Sequence, residues 1–411
     1  MSAKQEFYKS ELIRQLYYGG ALSCADLSEL THKSLPHVTR SLTDLVNSGI
    51  VKETGLAQST GGRRPQMYSI AENCMYVLAV AMDQLTTRAV VMDMHNKTVK
   101  PFLEFSLPLA STPDALAILA ERLRQYLDES GIDKTKIVGA GIGMPGFIDV
   151  TKGVNHSFLS GPEMINIKKY LEDALQLPVF LDNDSSLIAL AEYCFGQAKG
   201  KKNVMVVNIG WGVGLGLILN GELFRGDSGF AGEFSHIPLF TNNKMCSCGK
   251  LGCLETETSL KVVVERAMEE QRTGKKSSLP PLEGNDVDKE AALIIDAAVA
   301  GDRLAVDVLS GIAYDVGRGI AILIHILNPG VVILSGRGAS AGNLWLAPVQ
   351  DAINRNCIPK IAENTVVAVS TLGKKAEIIG AAALAVEHLQ WDKVAKVSGR
   401  QKQQIQSEYF I

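Results

Sequence analysis

The sequence has no surplus of either charge. Its 411 residues carry 41 lysines and arginines against 44 aspartates and glutamates, a net charge of −3. The chain as a whole is therefore not built to coat a polyanion, and any surface for nucleic acid has to be local. Long apolar runs are also missing. No stretch reaches the ~18 residues that a membrane span needs, and residues 1–18 carry charges throughout, so neither a membrane span nor a signal peptide is expected. Cysteine is scarce, with seven in all. Four of them (Cys24, Cys74, Cys194, Cys357) are scattered without pattern, which fits a reducing cytoplasm rather than a disulfide framework. The remaining composition, 46% hydrophobic and 21% charged, is that of an ordinary globular protein. The length implies two or three domains.

The other three cysteines stand together. Gly232-Glu233-Phe-Ser-His236 leads through a polar loop into Cys246-Ser-Cys248-Gly-Lys-Leu-Gly-Cys253-Leu-Glu255. One imidazole and three thiols so close in sequence can supply the four ligands of a closed, tetrahedral structural zinc site. Gly249 and Gly252 let the backbone turn tightly enough to aim successive sulfurs at one point. Zinc on His236, Cys246, Cys248 and Cys253 is the expectation.

Residues 1 to about 72 read as a unit of their own. Phe7–Tyr18 has helical periodicity and stops at Gly19-Gly20, and Ser23 is placed to cap a short helix over Cys24–Leu30. Ser34 is placed to cap a longer one, with Pro36 tolerated in its first turn, and Gly49 closes it. Its apolar stripe is Leu35, Val38, Leu42, Leu45 and Val46; its other face shows His37, Arg40, Ser41 and Asp44. Ile50–Glu53 and Gln66–Ile70 read as a two-stranded wing around a loop ending Gly61-Gly62-Arg63-Arg64-Pro65. This is the winged helix-turn-helix plan, mainly α, in which the second helix of the motif enters the major groove. The expected DNA contacts are Ser34, His37, Thr39 and Arg40 on that helix. Arg63 and Arg64 are expected at a wing tip, where a narrow minor groove attracts guanidinium groups.

From about residue 73 the pattern becomes α/β. Strand-like Lys136–Ile142 ends in Gly143-Met144-Pro145-Gly146, and Val179–Leu181 ends in Asp182-Asn183-Asp184. Ligand sites in such sheets collect where strands end. Asp184 also stands at the head of a helix over Ser185–Gln197, where it is placed to serve as an N-cap. A further strand runs into Gly210-Trp-Gly212-Val-Gly214-Leu-Gly216, whose alternate glycines suit close backbone packing or a phosphate. A polar segment, Arg272–Asp286, reads as mobile, and the tail from Lys393 shows no clear element. The boundaries expected are 1–72, a first lobe 73–195, a second lobe with the zinc loop 196–392, and a polar tail 393–411.

Assembled in order, these residues resemble the ROK family of repressors, open reading frames and sugar kinases. The resemblance is carried by Gly143–Gly146, Asn183-Asp184, Gly210–Gly216, Glu233-x-x-His236, the Cys246–Glu255 register and Asn328-Pro329. It implies an actin-like, ribonuclease H-like pair of α/β lobes of sugar-kinase type, with a sugar in the cleft. It also implies sugar contacts from Gly146, Asn183, Asp184, Glu233, His236 and Glu255, with His236 shared between sugar and structural zinc. Kinases of the family open the first lobe with Asp-x-Gly-Gly-Thr; here the place reads Asp83-Gln84-Leu85-Thr86-Thr87. Both glycines are gone, and side chains there oppose the backbone approach that cradles phosphates. Trp211 stands where the kinases commonly have a small hydroxyl residue. The expectation is a cytoplasmic DNA-binding repressor without kinase activity. It would bind a double-stranded operator as a homodimer or tetramer and be relieved by a sugar or sugar phosphate. The alternatives are an active sugar kinase, with Asp184 as base, and a repressor sequestered by a transport-system protein.

Overall fold

The computed structural model describes residues 3–58, 64–159, 165–391, 393–395 and 397, so Arg63 and the tail beyond 397 lie outside it. The chain forms two compact units, Met1–Asp182 with Ala381–Ile411, and Asn183–Gly380.

The first unit opens with α1 (Ala3–Gly19), β1 (Leu22–Ser23), α2 (Cys24–Thr31), α3 (Leu35–Asn47), β2 (Val51–Leu56) and β3 (Gln66–Ile70). The strands form an antiparallel sheet in the order β1-β3-β2. Ser23 caps α2 reciprocally: its Oγ accepts from the Asp26 amide at 3.2 Å, and the Asp26 carboxylate accepts from the Ser23 amide at 2.8 Å. This is a capping box. Ser34 stands at the corresponding position of α3, but its hydroxyl makes no cap bond there. The buried stripe of α3 is Val38, Ser41, Leu42 and Leu45. Ser41, expected on the open face, is buried because it falls three residues after Val38 on the inward spacing. Leu35, expected in the stripe, opens the helix and is 50% exposed. Lys9, itself buried, pairs with Asp44 at 2.7 Å and pins α1 to α3.

The body of this unit is a sheet of β4 (Tyr76–Met82), β5 (Thr86–Asp93), β6 (Leu103–Ser106), β7 (Ile137–Met144) and β10 (Val179–Asn183). Between these fall α4 (Ala115–Glu129), the short pair β8 (Ile148–Asp149) and β9 (Val154–Asn155), and α5 (Ile167–Leu175). The order is β10-β7-β4-β5-β6, with β4–β5 and β5–β6 antiparallel and β4–β7 parallel. Leu119 and Leu123 of α4 and Leu171 and Leu175 of α5 bury into a core with Leu78, Val80 and Ile142 of the sheet.

The second unit contains α6 (Asp184–Phe195), β11 (Val204–Ile209), β12 (Val213–Leu219), β13 (Glu222–Leu223), α7 (Glu255–Thr258), α8 (Leu260–Arg272), α9 (Val287–Val299) and α10 (Arg303–Leu327). It continues with β14 (Val331–Ser335), α11 (Asn343–Asn356), α12 (Pro359–Ala362) and β15 (Val366–Val369), and α13 (Lys375–Glu387) starts there and ends in the first unit. Its sheet runs β13-β12-β11-β14-β15. Counted along the chain, both sheets have the same order: third, second, first, fourth, fifth. Each is a three-stranded meander extended on one side by crossover strands. α6 packs on this sheet, where Gly214 and Gly216 of β12 leave no room for a Cβ beside Ser185 and Ala189.

Three readings from sequence change here. β6 and α11 were not anticipated, and Pro348 inside α11 is the kind of residue that argues against a helix. α10 is long and apolar enough to cross a membrane by length and composition, contrary to the expectation that no such run exists. It is a core helix: Ile312, Val316, Ile320 and Ile324 are fully buried, and Asp315 and Arg318 pair at 3.3 Å. The segment read as mobile is tied down, since the Ser278 amide and the Ser277 and Ser278 hydroxyls all donate to the Asp302 carboxylate, at 2.6–2.9 Å. Burial pushes that carboxyl up, but the bonds from Ser278, Ala305 and Ser277 prevail and hold it down to about 2.

Asp302→Ala removes this anchor together with the cap of α10, to which Ala305 donates at 3.0 Å. The expected cost is about 1–2 kcal/mol, with faster proteolysis within residues 272–286 than elsewhere. Because the folded carboxyl is the stronger acid, its contribution is complete above the unfolded carboxylate range and is lost as the pH falls toward 2. Limited proteolysis and urea unfolding of the two proteins at pH 7 check the prediction.

Candidate functional site

After β13 the chain leaves regular structure and returns to it only at α7, and a short 3-10 turn, Phe234–His236, is the main element between them. Phe234 anchors this turn by burying its ring against Gly319 of α10, a position where a Cβ would lie 2.8 Å from the ring. Gly252, at φ +72, lets the Phe240 carbonyl pack where any side chain would overlap it, and its own carbonyl accepts from the Phe240 amide at 3.0 Å. Together with the Leu254 amide on the Ile237 carbonyl (2.9 Å), these bonds fold Cys253 back beside His236.

The result is a convergence of donors. His236, Cys246, Cys248 and Cys253 each offer one ligand atom, and the four atoms lie within 4.8 Å of one another. Cys248 Sγ to Cys253 Sγ is 3.7 Å, and Cys246 Sγ to His236 Nδ1 is 3.4 Å. A tetrahedron with Zn–S of ~2.3 Å and Zn–N of ~2.0–2.1 Å has edges of about 3.8 and 3.6 Å. The donor set and its spacing therefore fit a zinc-sized ion, with Nδ1 as the ligating nitrogen of His236. Burial pushes the Cys253 thiol up to about 12, and the neighbouring thiols Cys248 and Cys246 reinforce the rise.

Two carboxylates flank the same imidazole. Glu233 Oε2 lies 3.7 Å from His236 Nε2, and Glu255 Oε2 lies 3.8 Å from Nδ1. Burial pushes the Glu233 carboxyl above its ordinary range; His236 opposes the rise and Glu255 adds to it. Across from Glu255 the β11–β12 hairpin turns through Gly210, Trp211 and Gly212, and a Cβ on Gly212 would stand 2.5 Å from Glu255 Oε1. Further along the same hairpin, Asn208 Nδ2 donates to Ser185 Oγ at 3.1 Å, which places the head of α6 against it. There Asn183, rather than Asp184, is the N-cap, its Oδ1 accepting from the Ser185 and Ser186 amides at 2.9 and 3.3 Å. Asp184 is the first residue of the helix, and its Oδ1 accepts from the Ser185 amide at 2.7 Å. The second unit thus holds Asn183, Asp184, Glu233, His236 and Glu255 around one hairpin. Gly146 belongs to the first unit. Its φ of +96 and the Ser157 side chain, 2.6 Å from where a Cβ would sit, leave only glycine there.

Sequence reasoning missed the brace under the loop. Glu257, buried, receives Lys244 at 2.7 Å and Arg266 at 2.8 Å, as well as the Asn242 amide. Burial pushes this carboxyl up, and the two cations more than offset it, leaving it below its usual range. A glutamate two residues past Glu255 carries no motif, so only the fold reveals it.

On α3, His37, Thr39, Arg40 and Ser34 are exposed. His37 stacks its ring 4.5 Å from Tyr8, and Thr39 Oγ1 donates to the Leu35 carbonyl at 2.9 Å. Arg64 is exposed as well. In the β4–β5 turn, Asp83 Oδ1 accepts from the Leu85 and Thr86 amides at 2.7 and 2.8 Å.

Comparison with known proteins places these features. A family model described as "ROK family" matches residues 88–388. A glucokinase from Halalkalibacterium halodurans is 35% identical over 277 residues, 65% of this chain and 83% of that protein. A xylose repressor from Bacillus spizizenii is 27% identical over 385 residues, 92% of this chain and 94% of that one. Among solved structures, a ROK family transcriptional regulator described as a homologue of the E. coli MLC protein superposes with a TM-score of 0.78 at 23% identity, covering 97% of this chain and all of that chain.

Replacing Cys253 or Cys248 by serine is expected to take bound zinc from about one per chain to near none and to lower Tm by several degrees. Since the thiols must lose protons to bind, zinc affinity should fall as pH is lowered. Metal analysis and calorimetry across pH 6–8 test both statements.

Proposed function

The chain belongs to the ROK family, and from that premise we propose that it is a sugar-responsive transcriptional repressor, acting as a homodimer on operator DNA. The observation that carries the reading is the extent of the repressor relative. The alignment leaves 8% of this chain uncovered (100 − 92), fewer residues than the N-terminal segment of about 70 that precedes the first large sheet. We read α2, α3 and the β2–β3 ribbon as a winged helix-turn-helix. The exposed face of α3 enters the major groove, with Arg40 suited to a base edge and His37, Thr39 and Ser34 beside it. Arg64, and with it Arg63, is assigned to a flanking minor groove.

The same fold serves kinases, so the reading needs a reason against phosphoryl transfer. The β4–β5 turn supports one. A phosphate loop works by presenting backbone N–H groups to the phosphates. Here the Leu85 and Thr86 amides are taken by Asp83, which closes the turn on itself. The polar set of Asn183, Asp184, Glu233, His236 and Glu255 is read as the sugar site, because hydroxyls need rigid acceptors and donors and unpaired ones are penalised by ~1–3 kcal/mol each. A zinc ion on the Cys/His cluster would fix the ring of His236 and, through it, the shape of that site. Sugar binding then changes operator affinity through the coupling of the two sites, for which ~1–3 kcal/mol suffices.

Gel shifts with operator DNA and a panel of sugars, run beside an ATP-turnover assay, test this. Operator binding that one sugar weakens 5-fold or more, without ATP turnover, is expected. Sugar-dependent ATP turnover would establish the kinase alternative, and operator binding indifferent to every sugar would favour control by a protein partner. Arg40→Ala should weaken specific operator binding about 10- to 100-fold while leaving sugar binding intact.

A further inference from the structure

One edge of the exposed face of α3 is already occupied. Tyr8 and Lys9, consecutive on α1, reach two residues of α3 that stand two turns apart. The Tyr8 ring lies 4.5 Å from that of His37, and Lys9 Nζ lies 2.7 Å from the Asp44 carboxylate. Ser41, between them, is buried. At about 100° per residue, His37, Ser41 and Asp44 fall on one stripe of the helix. That stripe is the edge that α1 covers. Asp44 is the one acidic residue of α3, and buried Lys9 neutralises it there.

The face left open is led by Pro36, Thr39, Arg40 and Thr43, all exposed, with Asn47 one turn further on. Their spacing of i, i+3, i+4 and i+7 puts the four on one side of the helix. The reading helix of a homeodomain meets DNA through residues of the same spacing. Thr43 stands in the middle of this arc, about 40° from Thr39 and about 60° from Arg40 on a helical wheel. Both threonine hydroxyls are turned back on the helix. Thr39 Oγ1 donates to the Leu35 carbonyl and Thr43 Oγ1 to the Thr39 carbonyl, each at 2.9 Å. A hydroxyl has one proton to give. With it committed to the backbone, each threonine presents a γ-methyl group and an oxygen that only accepts. In the major groove an arginine is matched by guanine O6 and N7, and a methyl group by the C5-methyl of thymine.

We infer that Thr43 is a specificity-determining residue of the reading helix, its methyl group packing on the C5-methyl of a thymine in the half-site whose guanine Arg40 reads. The inference rests on the winged helix-turn-helix reading above. To test it, the full-length zinc-loaded protein selects its operator from a pool of random-sequence DNA. Affinities are then measured by fluorescence anisotropy on that operator and on copies in which each thymine of a half-site is replaced in turn by deoxyuridine, which removes only the C5-methyl group. Thr43→Ser, which loses the methyl and keeps the hydroxyl, and Thr43→Val, which does the reverse, are measured in parallel. Circular dichroism and Tm confirm that both variants fold.

Deoxyuridine at one position should weaken wild-type binding about fourfold, as the loss of one buried methyl group implies. Thr43→Ser should bind the natural operator about fourfold more weakly and no longer distinguish thymine from deoxyuridine at that position. Thr43→Val, the conservative variant, should keep the distinction. Wild-type binding indifferent to every deoxyuridine would overturn the inference, as would a Thr43→Ser protein that still senses the same one. Weak binding by Thr43→Val with Thr43→Ser intact would also overturn it, assigning the contact to a hydroxyl that accepts from adenine or cytosine. If no sequence is enriched from the pool, the winged helix-turn-helix reading itself falls, and this inference with it.

Discussion

One imidazole stands between a metal-type donor cluster and a pair of carboxylates. His236 has Nδ1 3.4 Å from Cys246 Sγ, in a cluster whose four donor atoms lie within 4.8 Å of one another, and its ring nitrogens stand 3.7 and 3.8 Å from the Glu233 and Glu255 carboxylates. A tetrahedral ligand cannot rotate freely, so a metal on the thiols sets the ring plane, and the ring plane sets where Nε2 stands relative to Glu233. The loop that bears the site has little secondary structure to hold it. Its rigidity comes from the cluster at one end and from the ion pairs on Glu257 at the other. The two are unequal: a structural zinc on the cluster would contribute ~10–16 kcal/mol of apparent binding free energy, whereas an ion pair whose cation stays partly exposed contributes ~1 kcal/mol or less. A zinc ion on the cluster would therefore dominate the shape of the loop, with the Glu257 network bracing it from Lys244 and Arg266.

The Cys/His cluster was legible because ligand chemistry restricts residue types, and four such residues within a short stretch are hard to assemble by accident. The helices and strands that carry strong periodicity were legible for the same kind of reason. α3 shows the limit. Val38, Leu42 and Leu45 were assigned inward from period alone, but Ser41 went inward with them, since geometry rather than polarity decides which positions a partner covers. Pro348 concealed α11, and the four residues of β6 are too few to show a period. Asp302 illustrates a different loss. Polar residues 272–286 look mobile until a carboxylate more than fifteen residues downstream collects three of their donors, a long-range fact that no local pattern encodes. Glu257 belongs to the same class, since what defines it is the pair of cations around it in space.

The two five-stranded sheets have the same strand order, and both place a tight turn between their first two strands. The turns are used differently. In the first unit Asp83 folds back on the amides of Leu85 and Thr86, consuming the groups a phosphate would need. In the second, the glycines of Gly210–Gly216 admit Ser185, Ala189 and Glu255 to the backbone, so that the hairpin becomes a wall of the polar site. In a family that includes both kinases and repressors, the proposed loss of phosphate binding and retention of a sugar site would then fall on different turns. Fold alone does not distinguish the two outcomes. The distinction lies in whether a handful of backbone amides are spoken for.

Within the first unit, the N-terminal helices are bonded to the C-terminal end of the chain. Arg14 donates to the Glu387 carbonyl at 2.8 Å, Tyr18 to the Glu387 carboxylate at 2.6 Å, and Tyr17 to Asn96, while Lys9 lies 5.3 Å from the centre of the Trp391 ring. The last turn of α13 is therefore bonded to α1. α1 in turn is fixed to α3 by the pair of buried Lys9 with Asp44 and by the Tyr8–His37 ring contact. α13 begins among residues of the second unit and ends among those of the first. α1 is thus bonded both to the last turn of α13 and to α3, whose exposed face carries His37, Thr39 and Arg40.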